Sequence, residues 1–154
     1  MKRILLTLLC LLTSAPLGAR HKTVPARLTI QGPLAASVGH QLPIHLNFAN
    51  LSADQNIAII DKCHWSNPTW DVRDRGGNKL LYPQIFQPDC NASPVNLGPT
   101  MWHEWTVDPS DSFHFPKTGT YFFTATFTYK LKDPKTKIET PRTVVSNTIL
   151  VNIR

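Results

Sequence analysis

Apolar residues recur at every second position along most of this chain. In "QLPIHLNF", Leu42, Ile44, Leu46 and Phe48 fall on one face, with Gln41, His45 and Asn47 on the other, which is the alternation of a half-buried strand. His45 is therefore expected to look outward. In "TYFFTATFTYKL", Tyr121, Phe123, Ala125, Phe127, Tyr129 and Leu131 share one face and Thr120, Thr124, Thr126, Thr128 and Lys130 the other, which predicts the central strand. Shorter runs predict strands at "ARLTIQG", "NIAII", "TWDVRD", "KLLYP", "MWHEWTV" and "TVVSNTILVNI". "RDRGGNK" predicts a tight hairpin in which Gly76 and Gly77 both supply positive φ, and "KLKDPKTKIET" a longer one. A helical period is almost absent, and 13 prolines with frequent Asn, Asp and Gly separate the runs. This predicts an all-β chain, an antiparallel sandwich of seven to eight strands with Greek-key connections.

One motif narrows the sandwich. "FPKTGTYFF" sets a Pro, a Gly and then Tyr121 at the entrance to the central strand, the arrangement in which a corner tyrosine closes an immunoglobulin-like domain. The central strand carries no cysteine, so an inter-sheet disulfide of the antibody kind is not expected.

The N-terminus sets the compartment. Lys2 and Arg3, the apolar run Ile4 to Leu12, and small residues around Gly18 and Ala19 form a secretory leader, which divides the chain into a signal peptide over 1–19 and one β-sandwich domain over 20–154. The apolar run is shorter than the roughly 20 residues a spanning helix needs, so the mature form is expected to have no membrane span. An exported protein, periplasmic or extracellular, is the expectation. Cys10 leaves with the leader, and the remaining pair, Cys63 and Cys90, is expected to form a disulfide in an oxidising compartment, worth about 3 to 4 kcal/mol through the restricted unfolded chain. Asn50 in "NLS" and Asn91 in "NAS" would be glycosylation acceptors in a eukaryotic host.

Charge and chemistry exclude more than they assign. Of the 16 Lys and Arg residues Lys2 and Arg3 go with the leader, and the other 14 face 10 acidic residues. The late cluster Lys130, Lys132, Lys135, Lys137 and Arg142 reads as a solvated hairpin that discourages edge pairing, with no nucleic-acid partner implied. There is no nucleophile elbow, zincin helix or phosphate-binding loop, and alternation throws His103 and Glu104 to opposite faces. No enzyme, cofactor or metal site is expected.

"WDVRDRGGNKLLYP", "LGPTMWHEWTVD" and "FPKTGTYFFTATF" together resemble the bacterial immunoglobulin-like domains grouped with the BsuPI-type proteinase inhibitor. The resemblance covers about Trp70 to Phe127. It implies the immunoglobulin-like fold and a protein partner, a protease among the possibilities. The chain departs from the family at Leu97 to Thr100, where a Pro-Gly-acidic turn would stand. "NPTW" also resembles the Asn-Pro-Thr loop of chagasin-type inhibitors of papain-like cysteine proteases, although their Arg-Pro-aromatic loop is missing here.

The candidate binding loop is therefore Trp65, Asn67, Pro68, Thr69 and Trp70 together with Arg73, Arg75, Gly76 and Gly77 of the hairpin. Alternation assigns Trp70, Met101, Trp105 and Val107 to apolar faces, and sends Trp102 and Glu104 to the opposite side. Trp102 is the candidate exposed aromatic. The expectation is a non-enzymatic binding domain, an inhibitor or a cell-envelope interaction module. The alternative is a carbohydrate-binding or purely structural accessory sandwich; oligomeric state is left open.

Overall fold

The computed structural model describes residues 25–60, 68–81, 93–113, 115–133 and 135–154. The stretch expected to be a leader, Trp65, Asn67, Asn91 and the two cysteines expected to pair, Cys63 and Cys90, lie outside the described residues.

Nine strands occur among the described residues: β1 (Ala26–Gln31), β2 (Ala35–Ala36), β3 (Ile44–Asn50), β4 (Asn56–Ile59), β5 (Thr69–Asp74), β6 (Val95–Leu97), β7 (Trp102–Val107), β8 (Gly119–Lys132) and β9 (Glu139–Ile153). One sheet has the order β1-β3-β7, and the other runs β2-β9-β8-β4-β6 with β5 also on β8. All pairings are antiparallel apart from the two-residue β2, which runs parallel to β9. The chain changes sheet on either side of β2, between β3 and β4, between β6 and β7 and again before β8, so this is an immunoglobulin-like sandwich with Greek-key connections. No helix among the described residues is long and apolar enough to cross a membrane.

The alternation read from sequence positions the core. Leu28 and Ile30 of β1 stand opposite Phe48 and Leu46 of β3, and all four are buried. From the facing sheet, Tyr121, Phe123, Ala125, Phe127 and Tyr129 point inward. The layers meet where the Phe48 ring lies 5.5 Å from Phe127 and 5.3 Å from Tyr129, the latter edge-on. β8 is central: β9 covers one edge along its whole length, while β5 and β4 share the other. The segment 60–68 joins β4 to β5.

Three local devices lock the frame. The Tyr121 hydroxyl donates to the Lys117 carbonyl at 2.8 Å, the corner its sequence context predicts. In β9 a bulge opposite Ala125 inserts a residue, Thr124 pairing Thr148 and Thr126 pairing Val145. The bulge aims Asn147 at β1, where Oδ1 accepts from Ile30 N at 2.8 Å and Nδ2 donates to Ile30 O at 3.0 Å. Asn147 thus substitutes for a strand at the outer edge of β1. Asp108 Oδ1 accepts from Ser110 N at 2.9 Å, capping a 3₁₀ turn over Pro109–Ser112, and from Leu42 N at 3.0 Å.

The sequence expectations need four corrections. "KLLYP" is not a strand among its described residues: Lys79 makes one isolated bridge to Arg73, Leu80 N reaches Val72 O at 2.8 Å, and Leu81 is exposed. The hairpin takes positive φ at Gly77 alone, not at both glycines. Met101, expected on the apolar face, is exposed because it belongs to the turn before β7 and not to the strand. Asn50 is no glycosylation acceptor in the folded protein, since its side chain is 1% exposed and its amide nitrogen is used internally.

Candidate functional site

Of the sequence candidates, the Arg73 to Gly77 hairpin and Trp102 lie at opposite ends of the sandwich, while Thr69 and Trp70 open β5 between them, opposite Thr126 and Ala125 in the middle of β8. Asp74 at the end of β5 pairs with Tyr121 near the start of β8, whereas Asn56 at the start of β4 pairs with Lys132 at its end. That separation is eleven residues of extended chain, about 36 Å. Trp102 pairs with Ala49, beside Asn50, whose amide reaches Gln55 next to Asn56.

At the first end, Gly77 N donates to Asp74 O at 3.0 Å and Asp74 N to Asn78 O at 3.0 Å, a tight turn that needs the φ of 82° only glycine adopts freely. The Asp74 carboxylate accepts from Asn78 N at 2.9 Å and from Asn78 Nδ2 at 3.0 Å. Those two bonds, the side-chain one first, hold its pKa below the ordinary value. On the flank, Asp71 contacts Arg73 Nε at 3.0 Å and Lys79 Nζ at 3.6 Å. Thr69, Arg73, Arg75, Gly76 and Gly77 are exposed. Pro68 and Trp70 are buried, and the Trp70 ring meets Phe123 edge-on at 6.3 Å. The three described residues of "NPTW" therefore supply one exposed side chain and two packing ones.

On the other sheet, the outward residues of β1, β3 and β7 form three rows that begin at the Trp102 end. The register sets Arg27, Ala49 and Trp102 in one row, Thr29, Asn47 and Glu104 in the next, and Gln31, His45 and Thr106 in the third. Trp102 is 65% exposed. Its neighbours are tied across strands: His45 Nδ1 and Thr106 Oγ1 are 2.8 Å apart, and Asn47 Nδ2 donates to Glu104 Oε1. The second and third rows line a groove of about 380 Å³ floored by Leu46 and Trp105. Trp105 packs inward on Phe127 at 5.2 Å, and His103 stacks on it at 5.5 Å.

The turn into β7 carries local strain. Met101 N donates to Gly98 O at 3.2 Å, with Pro99 and Thr100 at the two inner positions. Thr100 has φ 61°, a value usually left to glycine at the second inner position and costly for a β-branched residue. Asn50 holds the turn from below: its Nδ2 donates toward Leu97 O at 3.1 Å, Gly98 O at 2.9 Å and Gln55 O at 2.8 Å, and its Oδ1 accepts from Ser52 N at 2.9 Å. A buried, fully used amide therefore fixes the backbone from which Met101 and Trp102 project. Sequence alternation turned His45, Asn47, Trp102 and Glu104 outward, but nothing in the sequence says that β3 and β7 are neighbours in this register. Among the described residues no group of three or more His, Cys, Asp or Glu could hold a metal.

No family profile and no curated protein matches the sequence. Among solved structures the chain is similar to the CARDB domain of the PF1109 protein from Pyrococcus furiosus, described in complex with di-metal ions, at 14% identity and a TM-score of 0.40, over 84% of this chain and 87% of that one. It is also similar to a mutant β-glucosidase from Listeria innocua in complex with laminaribiose, at 11% identity and a TM-score of 0.40, over 84% of this chain and 16% of that one. The resemblance read from the turn motifs stands as far as the immunoglobulin-like fold, which rests on the two sheets and the Tyr121 corner.

Proposed function

We propose that this chain is an exported, non-enzymatic accessory sandwich that acts by binding, and that it binds with the outer face of the β1-β3-β7 sheet around Trp102. Export rests on the N-terminal leader pattern, and the non-enzymatic reading on the missing catalytic motifs. The observation that carries the choice of surface is Trp102 itself: a large indole 65% exposed, on a backbone held by a buried asparagine. Trp is the side chain most enriched at binding hot spots, and the folded core has no need of this one. Co-sedimentation of the mature chain with cell envelopes of the producing organism tests the reading. Trp102→Ala is expected to weaken retention about tenfold, while Arg75→Ala leaves it unchanged. Equal retention of wild type and Trp102→Ala would remove this face from consideration.

The second reading is the inhibitor that the BsuPI resemblance implies, and the hairpin favours it. The Asp74-bound turn is rigid and presents Arg73 and Arg75 to solvent, which lowers the ordering cost of docking on a protease. Titration against a subtilisin-like serine protease and a papain-like cysteine protease decides it. Stoichiometric loss of activity that depends on Arg73 to Lys79 supports inhibition; full activity beside an uncut domain ends it.

A further inference from the structure

We infer that the ligand of the Trp102 face is a neutral glycan chain, an inference that rests on the binding reading above and adds the chemical class. Three features of the face carry it. The outward side chains are uncharged apart from Arg27 at one corner and Glu104 at the middle of the far strand, so no field of either sign selects a polyanion or a polycation. Trp102 is the one large apolar side chain in the three rows, with Leu51 and Met101 exposed only beyond the strand ends, whereas a protein interface of standard size needs an apolar centre. The groove beside it is polar and preset, because Asn47 is tied to Glu104 and His45 to Thr106 before any ligand arrives.

Those features match the two halves of a sugar ring. The C–H face of a pyranose is flat and apolar and stacks on an exposed indole, while its hydroxyls both donate and accept. Beyond the atoms engaged in the cross-strand pairs, Asn47 has Oδ1, Glu104 has Oε2 and His45 has Nε2, a mixture of acceptors and a potential donor around one groove. Glu104 lies two residues along β7 from Trp102, a spacing of about 7 Å on the same face. A chain stacked on Trp102 therefore passes its next residue over the Asn47–Glu104 pair and into the groove. Cross-strand pairing also means that these groups lose little freedom on binding, the usual cost of a polar site.

The test uses envelope polysaccharide from the producing organism, stripped of protein by protease and of lipid by solvent, beside the intact envelopes. The full mature chain is compared with Trp102→Ala and Asn47→Ala at low and high salt, with thermal melts to confirm that each variant is folded. The expected result is retention on the stripped polysaccharide, little changed by salt, about tenfold weaker in Trp102→Ala and severalfold weaker in Asn47→Ala. Retention that depends on Trp102 but disappears with the envelope protein would overturn the glycan and leave the face as a protein-binding surface. Retention that falls steeply with salt would replace the neutral chain by an anionic polymer. If neither material distinguishes Trp102→Ala from wild type, the face and the glycan fall together.

Discussion

The turn of Asp74 to Asn78 and the turn of Gly98 to Met101 solve the same geometric problem by opposite means. Each contains a residue with positive φ, at Gly77 in the first and Thr100 in the second. The first is closed from within: its glycine takes the strained position at little cost, and the Asp74 carboxylate meets an amide and a side chain four residues away. The second is closed from outside, by an asparagine 47 and 48 residues back in the chain whose amide reaches Leu97 O and Gly98 O. Local chemistry makes the first turn self-sufficient. Tertiary packing makes the second one possible, and it is the second that carries Trp102.

Removing Asn50 is the strongest way to test that contrast. In Asn50→Ala three carbonyls lose their donor, one of them in a buried bond, and Ser52 N loses its acceptor. Loss of a satisfied buried network of this size is expected to cost about 3 kcal/mol. Urea denaturation reads it. A cost below about 1 kcal/mol would mean that the turn before β7 holds itself, and the contrast between the two turns would disappear.

Exchanging the residue types at the two positive-φ positions comes next. Gly77→Ala meets no atom within 4 Å of the new Cβ, so the whole penalty is conformational, about 1 to 2 kcal/mol. Thr100→Gly relieves the same strain in the other turn and is expected to stabilise the protein by about 1 kcal/mol, reduced by the added freedom of the unfolded chain. Opposite signs in the two melts are the expected outcome. If Thr100→Gly destabilises, its side chain supports the turn in a way that φ alone does not reveal.

The same contrast explains what was legible in the sequence. The hairpin, the corner at Tyr121 and the alternation of β3 and β8 are each set within a few residues, so spacing and turn chemistry reveal them. "KLLYP" reads as a strand on propensity, but its described residues make one isolated bridge, from Lys79 to Arg73 of β5. Both glycines of the hairpin look equivalent in sequence, yet the i to i+3 bond from Gly77 N to Asp74 O leaves Gly76 at an inner position of ordinary φ, and it is the next bond, Asp74 N to Asn78 O, that requires positive φ of Gly77. Asn50 reads as a glycosylation acceptor until the fold buries it. Trp102 could be sent to the outward face by alternation, whereas its partnership with Asn47 and Glu104 depends on a β3-β7 register formed across more than fifty residues of intervening chain.

The smallest effect belongs to acid. Asp74 has its pKa lowered in the folded protein, chiefly by the Asn78 side chain and then the Asn78 amide, from an ordinary value of 3.8. A depressed carboxylate contributes stability that is fully present above the unfolded value and is lost as the pH falls through the lower folded one. The hairpin is therefore expected to hold its contribution at neutral and mildly acid pH and to lose it only below about pH 3.8. Replacing Asp74 by Asn removes the titrating group while keeping a side chain of similar shape. Melting temperatures of wild type and Asp74→Asn, followed from neutral pH downward, should differ most at neutral pH and converge in acid. The Gly98 to Met101 turn has a neutral amide where the hairpin has a carboxylate, so Asn50→Ala should keep its gap from wild type across the same range. Convergence of both pairs would show that acid acts on the sandwich as a whole, and the two turns would then differ in sequence distance without differing in the kind of force that closes them.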